Sequence, residues 1–239
     1  MIKIVVVQKD FYIGGIPSSC INFLNILSES MIFKVTLITF TKIDKIKLGI
    51  SDKIDIIYTN KSLEVFALTY NQCKSKNFPF RLKWIMVRLW SKYISNNLPL
   101  KIALKKQKPL EEEFDIAISF APSSSSKTFS VGSSELVLNK IRAKTKCVLY
   151  HNDFTMSGLN TGFVVDGLSR FDKILCVSKS CAEIMRNALP QLKDKIDHLY
   201  NFANVSQIKD KSQEFKVVYP KSFNIVSVSR LSEEKGHIR

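Results

Sequence analysis

The stretch Ile2-Lys3-Ile4-Val5-Val6-Val7, followed by Gly14-Gly15 and by an amphipathic segment that begins at Pro17, decides the fold of this chain. An apolar, β-branched run of this length predicts a buried strand. Apolar side chains recur at helical spacing from Pro17 to about Ser28, and proline is favoured in a first helical turn. The chain therefore begins with a strand, a glycine-containing loop and a helix.

The same alternation continues along the chain. Further strands are predicted at Lys34–Phe40, Lys53–Tyr58, Phe114–Phe120, Lys146–His151, Lys173–Ser178 and Lys195–Asn201, and helices at Ser62–Cys73, Leu168–Phe171 (as a helix end) and Ser180–Leu189. Continuous apolar strands between helices are typical of a parallel sheet that is covered on both faces. We therefore expect an α/β fold, a doubly wound parallel sheet of Rossmann-like type.

A change of composition near residue 203 predicts a domain boundary. From Phe202 to Lys221 the sequence is polar and charged, as linkers are. The run Phe223–Val228 is apolar again and is predicted to form a strand. We expect a first domain at 1–203, a linker at 204–221, and the incomplete start of a second Rossmann-like domain at 222–239.

The charge balance favours anionic partners. Lys and Arg number 36 against 21 Asp and Glu, which gives a net charge of +15. Such a field attracts nucleic acid, anionic lipid head groups or nucleotide diphosphates. The sequence contains no known nucleic-acid-binding module, so we do not expect a nucleic-acid partner.

The cysteines and the lengths of the apolar runs indicate in which cellular compartment the protein is found. The five cysteines form no CxxC pair and have no metal-ligand spacing, so we expect no metal site and a reducing, cytoplasmic environment. The N-terminal apolar run is too short for a signal peptide. No run approaches the ~20 apolar residues of a membrane-spanning helix. Any contact with a membrane is therefore expected to be peripheral.

Two places in the first domain could bind a ligand. Gly14-Gly15 precedes a helix N-terminus, where glycine lets a ligand approach the backbone and the helix favours an anion; a tight turn with positive φ is the alternative. The spacing is not GxGxxG, which disfavours a nicotinamide dehydrogenase. His151 follows the strand Cys147–Tyr150, at the end of a sheet where ligands bind. It could contact a phosphate or a sugar hydroxyl, or be an ordinary loop histidine.

Three further polar positions have local explanations. Asp153 is expected to be an exposed loop carboxylate. Ser178 or Ser180 is expected to cap the following helix.

The stretch from Phe78 to Lys108 is strongly basic. It carries eight Lys and Arg residues and no Asp or Glu. A helix at Arg81–Asn96 would place a basic stripe beside an apolar arc that contains both tryptophans. The residues of this predicted membrane surface are Arg81, Trp84, Arg88, Trp90 and Lys92. Such a helix suits an anionic membrane. A core-packed helix with one solvated stripe is the alternative.

The end of the chain carries a specific motif. Ile225-Val226-Ser227-Val228-Ser229-Arg230-Leu231-Ser232-Glu233-Glu234-Lys235-Gly236 closely resembles the "GRLs-x-EKG" signature that opens the donor-binding domain of family 4 glycosyltransferases, which have the GT-B fold. The resemblance implies that Arg230 and Lys235 bind the diphosphate of a UDP- or GDP-linked sugar. Gly14-Gly15 is similar to the glycine pair that faces the donor in that family, and His151 to a histidine near the reacting sugar. Asn201 matches a family position near the domain crossing, where Asn204 replaces the usual acidic residue.

The resemblance also implies a reaction. A retaining, nucleotide-sugar-dependent enzyme would transfer a hexose-type sugar to a glycan or lipid-linked acceptor in surface polysaccharide biosynthesis, without metal or added cofactor, at the inner face of the plasma membrane. Only three residues follow Gly236, so we expect a truncated chain with little or no activity alone. The alternatives are the acceptor half of a split transferase and a non-catalytic module that binds membrane or glycan.

Overall fold

The protein forms an α/β fold with one parallel sheet. The structure, a computed structural model, describes residues 1–12, 14–95, 97–122, 132–155, 162–214 and 223–229. The strands within these ranges are β1 (Ile2–Val7), β2 (Phe33–Thr39), β3 (Asp55–Tyr58), β4 (Glu113–Ser119), β5 (Arg142–Tyr150), β6 (Lys173–Cys176) and β7 (Ile196–His198). The helices are α1 (Gly15–Glu29), α2 (Lys61–Ala67), α3 (Tyr70–Lys74), α4 (Phe78–Tyr93), α5 (Asn97–Lys106), α6 (Ser133–Lys140), α7 (Gly162–Ser169), α8 (Lys179–Ala188) and α9 (Val205–Gln213), with a 3₁₀ turn at Pro190–Lys195.

The sheet has the predicted doubly wound topology. Its strand order is β3-β2-β1-β4-β5-β6-β7, and all the neighbouring strands are parallel. The first strand lies inside the sheet, with Val7 opposite Ile38 of β2 and Ser119 of β4. The chain winds from β1 towards one edge and then from β4 towards the other. This confirms the fold class that the alternating pattern predicted.

The alternating side chains of β1 show how the core is divided. Val5 and Val7 pack into one apolar cluster with residues of α2, α4, α5, α6, α7 and α8. Ile4 and Val6 face the opposite side, where they pack with α1 and with apolar residues from the segment 43–54. Because successive side chains of a strand point to opposite faces, an uninterrupted apolar run suits a strand buried on both sides.

The predicted helix Ser62–Cys73 is two helices. The chain is extended at Leu68, and Thr69 begins α3 as its N-cap. The backbone N–H and the hydroxyl of Thr69 both donate to Gln72 Oε1, each at 2.7 Å. The Thr-x-x-Gln spacing is a known capping signal, and it marks this break in the sequence.

The basic helix predicted at Arg81–Asn96 begins earlier and ends earlier, as α4. Asn77 is its N-cap, and the Asn77 side-chain oxygen accepts a hydrogen bond from Phe80 N at 3.3 Å. Pro79 stands in the first turn, where its missing N–H is not needed. The polar Asn77 rather than the first basic residue therefore sets the start of the helix.

The chain divides into two compact units, Met1–Ala203 and Asn204–Arg239. In the second unit, Asn204 caps α9 and accepts a hydrogen bond from Gln207 N at 3.0 Å. The strand predicted at Phe223–Val228 is wrong, since the described segment 223–229 belongs to no strand. Its apolar side chains are exposed, with Phe223 at 91% and Val228 at 92%.

Candidate functional site

The carboxyl edge of the sheet gathers the candidate ligand-binding residues. The order of strands reverses between β1 and β4, which is where open α/β sheets bind ligands. Ser119 of β4 lies opposite Val7 of β1 on one side and Val148 of β5 on the other. The segments that follow these three strands therefore leave the sheet side by side, with neighbouring strands about 5 Å apart.

Gly14-Gly15 opens α1 at this edge without any need for a special backbone conformation. Gly14 has φ 171° and ψ 166°, an extended conformation that any residue adopts, so the tight-turn explanation does not hold. Gly14 and Gly15 are exposed, and a Cβ built on Gly15 would meet no atom within 4 Å. The first turn of α1 has no acidic residue and no side-chain cap. Within the described residues no side chain caps α1, and because Pro17 has no N–H, the N–H groups of Gly15 and Ile16 are those available to an anion.

His151 lies one strand further along, at the end of β5. Its Nε2 is 2.9 Å from the carbonyl oxygen of Phe120, and its ring lies against the Phe120 ring with 5.1 Å between centroids. Burial lowers the pKa of His151, and the hydrogen bond to the Phe120 carbonyl opposes this shift. The imidazole is therefore neutral near pH 7. Since a carbonyl only accepts, Nε2 carries the proton, and Nδ1 is left as an acceptor.

The polar residues beside His151 and after β6 have structural roles. Asp153 Oδ1 accepts hydrogen bonds from the backbone N–H and the hydroxyl of Thr155, at 2.8 and 2.6 Å. Ser178 caps α8 and accepts from Cys181 N at 3.1 Å, which confirms the predicted capping role.

The segment after β7 is tied to the first turns of α1. Ser19 donates a hydrogen bond to Asn201 Oδ1 at 2.7 Å, and Asn22 donates to the carbonyl of Phe202 at 3.2 Å. The Phe202 ring also packs against Phe23 of α1, with 5.7 Å between centroids. Asn201 therefore holds the last loop of the first unit beside the helix that begins at the glycine pair.

A polar pocket, which the sequence analysis missed, lies at the carboxyl ends of β1, β2 and β3. Its volume is about 580 Å³. Its lining includes Tyr12, Lys42, Tyr58, Thr59, Glu64 and Lys76. Glu64 forms an ion pair with Lys76 at 2.6 Å, and the buried Thr59 hydroxyl has no hydrogen-bond partner within the described ranges. Hydroxyls, charged groups and aromatic rings around one pocket suit a ligand rich in hydroxyl groups.

A sequence signal for this pocket exists. Polar residues follow both strands closely, as Thr41-Lys42 one residue after the end of β2 and Thr59-Asn60-Lys61 directly after β3. The carboxyl ends of parallel strands meet at one edge, so these residues converge. Burial also raises the pKa of Tyr12, helped by the nearby charges of Asp10 and Glu64. Tyr12 is therefore a neutral hydrogen-bonding group in this pocket.

The predicted donor-phosphate residues, Arg230 and Lys235, lie outside the described residues. Across those that are described, no three His, Cys, Asp or Glu side chains are grouped so as to hold a metal ion.

The predicted membrane surface of α4 has to be corrected for Trp84. Trp84 is 8% exposed, its Nε1 donates to the Leu68 carbonyl at 3.1 Å, and it belongs to the core. Arg88 is half-buried, and its guanidinium lies 4.6 Å from the Trp84 ring centroid. The side chains of Arg81, Trp90 and Lys92 are exposed. At 3.6 residues per turn, Arg81, Arg88 and Lys92 project within about 80° of Trp84, whereas Trp90 projects roughly 120° away from it. The basic stripe therefore borders the buried Trp84. In the described part of the chain, no helix is long and apolar enough to cross a membrane.

Comparison with known proteins gives only distant similarities. No family model and no curated protein matches the chain. A structure of HepE from Anabaena in complex with UDP-glucose matches at 10% identity and a TM-score of 0.42, over 90% of this chain and 50% of that one. A trehalose-6-phosphate phosphatase N-terminal domain from Candida albicans matches at 13% identity and a TM-score of 0.40, over 88% of this chain and 53% of that one. A UGT transferase from Siraitia grosvenorii in complex with UDP matches at 10% identity and a TM-score of 0.39, over 88% and 55%.

The chain thus spans about half the length of these solved structures. One fold hosts many unrelated functions, so the function has to be inferred from the site residues.

Proposed function

We propose that this chain supplies the acceptor-binding domain of a retaining, nucleotide-sugar-dependent glycosyltransferase. The observation that carries the proposal is the uncapped N-terminus of α1, exposed at Gly14-Gly15 beside open space at the strand-order reversal. A diphosphate is an anion of suitable size for such a helix end. The resemblance of Ile225–Gly236 to a donor-binding signature supports the same ligand.

Three sets of groups would act on the donor and its sugar. The N–H groups at the start of α1 would contact the diphosphate of a UDP- or GDP-linked hexose. Arg230 and Lys235 would stabilise the negative charge that develops as the diphosphate leaves. His151, neutral and with no partner on Nδ1 among the described residues, would orient a sugar hydroxyl. No metal or added cofactor is required in this scheme.

The acceptor would occupy the polar pocket after β1, β2 and β3. The pocket is of ordinary ligand-site size, and Tyr12 joins it directly to the loop that leads to the glycine pair. A growing glycan, free or on a lipid carrier, presents the hydroxyl groups that this pocket suits. We therefore infer a place in surface polysaccharide assembly at the cytoplasmic face of the plasma membrane.

Peripheral membrane binding is the second function that an observation favours. Arg81 and Lys92 are exposed on α4 together with Trp90, and Phe78, Met86 and Tyr93 add exposed apolar area. A basic and apolar helix face suits an anionic bilayer surface. The same face would also serve a module that binds membrane without catalysis.

Calorimetric titration with UDP and GDP tests the nucleotide-sugar proposal. The parent protein should bind at least one nucleotide. Gly15→Val, which fills the open space before α1, and the pair Arg230→Ala and Lys235→Ala should each weaken binding about tenfold or more. The pair Lys209→Ala and Lys211→Ala is the control, since it removes the same charge from exposed positions of α9.

Two results would overturn the proposal. One is the absence of binding of either nucleotide at millimolar concentration. The other is equal weakening in the control pair, which would mean that general positive charge and not the site attracts the nucleotide.

A further inference from the structure

An apolar groove lies between α4 and α5 on the surface of the first unit. It has a volume of about 410 Å³ and is bordered by α2. The apolar side chains that line it include Phe66, Leu82, Met86, Trp90, Pro99 and Ile102. Met86 is 59% exposed and Ile102 47% exposed, so the groove opens to solvent. Exposed apolar area gathered into a concave groove of this size is typical of a binding site.

The groove contains two positive charges and no negative one. Its charged lining residues are Lys83 of α4 and Lys106 of α5. Both side chains line the same groove, and the pKa of Lys83 is lowered by burial and by the charge of Lys106. Neither ammonium has a carboxylate partner in the ranges that the structure describes. The sequence from 65 to 110 contains no Asp or Glu, so no neighbour along the chain supplies the missing charge.

The apolar lining and the two lysines together indicate the chemistry of a ligand. An apolar chain would bury the exposed side chains of the groove, with a gain in free energy proportional to the apolar area. An anion at the mouth would relieve the repulsion between the two ammonium groups and form charge-assisted hydrogen bonds with them. A polypeptide segment without acidic residues, or a neutral detergent-like molecule, would leave Lys83 and Lys106 uncompensated.

We propose that this groove binds one apolar chain of a membrane lipid whose phosphate is held by Lys83 and Lys106. The proposal rests on the membrane-associated function proposed above and deepens it by naming a specific lipid site. The groove contains neither the glycine pair nor His151. The lipid site and the nucleotide-sugar site can therefore fail independently.

Calorimetry with a soluble lipid mimic tests the groove. Dodecyl phosphate, below its critical micelle concentration, should bind with a stoichiometry of one. It should bind at least tenfold more tightly than dodecyl maltoside or inorganic phosphate, because only dodecyl phosphate supplies both the chain and the charge. Lys83→Gln with Lys106→Gln should weaken dodecyl phosphate about tenfold, and Ile102→Trp, which fills the groove, should block it.

The matched control removes the same charge from outside the groove. Lys92→Gln with Lys108→Gln should leave dodecyl phosphate binding unchanged, since neither side chain lines the groove. On vesicles that contain an anionic phospholipid, both pairs should weaken binding, because a bilayer senses the whole basic surface. Thermal denaturation of each variant checks that these exposed substitutions leave the fold intact.

Several results would overturn the proposal. Equal affinity for dodecyl maltoside and dodecyl phosphate would mean a non-specific apolar patch. Equal weakening in the control pair would mean a diffuse charge effect. A sedimentation experiment that shows a dimer disrupted by Ile102→Trp would assign the groove to a second copy of the chain. Dodecyl phosphate binding by a parent protein that does not bind vesicles would instead support the groove and reject the membrane-associated function proposed above.

Discussion

Two apolar runs of similar composition differ in this molecule, since one is a buried strand and the other is exposed and lies outside every strand of the described residues. In β1, Val5, Val6 and Val7 are completely buried, and the backbone pairs with β2 and β4. In the segment Phe223–Ser229, the apolar side chains are exposed and the chain belongs to no strand. A strand is stable only when neighbours supply both hydrogen bonds and a buried face. An apolar, β-branched run therefore forms a strand only where neighbouring strands and a covering layer are available.

The strongest test of this comparison places a charge in each run. Val6→Asp puts a carboxylate into an apolar cluster beside α1 and should cost ~4 kcal/mol or more of unfolding free energy. Val226→Asp should change stability by less than ~0.5 kcal/mol, because Val226 is already 66% exposed. Urea denaturation followed by circular dichroism measures both.

Amide hydrogen exchange gives an independent check on the same pair. The amides of Ile4–Val7 should exchange slowly, because they are paired in the sheet, and those of Ile225–Val228 should exchange quickly. Strong protection across Ile225–Val228 would contradict the contrast.

The same contrast between a buried and an exposed apolar side chain occurs within one helix, α4. Trp84→Ala should destabilise the protein by ~3–5 kcal/mol, since the indole is buried and bonded to the Leu68 carbonyl. Trp90→Ala, at 41% exposure, should cost less than ~1.5 kcal/mol. Equal losses in urea denaturation would show that both tryptophans pack in the core, as the alternative interpretation of the helix has it.

The third test compares two glycines at helix starts. Gly132 has φ +85°, and a Cβ there would approach Leu100 Cδ1 at 3.0 Å. Gly132→Ala should therefore cost ~1–3 kcal/mol. Gly15→Ala should raise the unfolding free energy by ~0.4–1 kcal/mol, because its Cβ would meet open space and alanine restricts the unfolded chain. A large loss in Gly15→Ala, measured by thermal denaturation, would mean that this glycine serves the fold rather than a ligand.

The smallest effect concerns the pH dependence of stability. Burial lowers the pKa of folded His151 relative to the unfolded chain, so the unfolded state binds the proton more readily. Neutral His151 therefore contributes fully to the free energy of unfolding when the pH is above its unfolded pKa of about 6.5. That contribution is lost as the pH falls from the unfolded pKa towards the lower folded pKa. Denaturation at about pH 8 and about pH 5 should show less pH dependence in His151→Gln than in the parent.

His198→Gln is the control for this prediction. It leaves the contact between His151 and Phe120 intact, so the pH dependence due to His151 should persist. An unchanged profile in His151→Gln would contradict the assigned burial of the imidazole.

The candidate site was predictable only in part. The glycine pair and His151 could be located because they follow apolar strands, whose carboxyl ends carry ligands in α/β sheets. The polar pocket and the lipid groove could not be located in the same way. Each is lined by residues from several elements, and sequence spacing gives no distance between Tyr12 and Lys76, or between Lys83 and Lys106.

The sequence by itself determined the α/β class and the positions of β1 to β7, and it narrowed the cap of α8 to Ser178 or Ser180, because apolar periodicity and capping are local properties of a chain. Only the tertiary structure decided that Trp84 is buried while Trp90 is exposed, which nitrogen of His151 carries the proton, and that Phe223–Val228 is not a strand. These outcomes depend on burial and on partners far away in the sequence. Neither is encoded in the spacing of neighbouring residues.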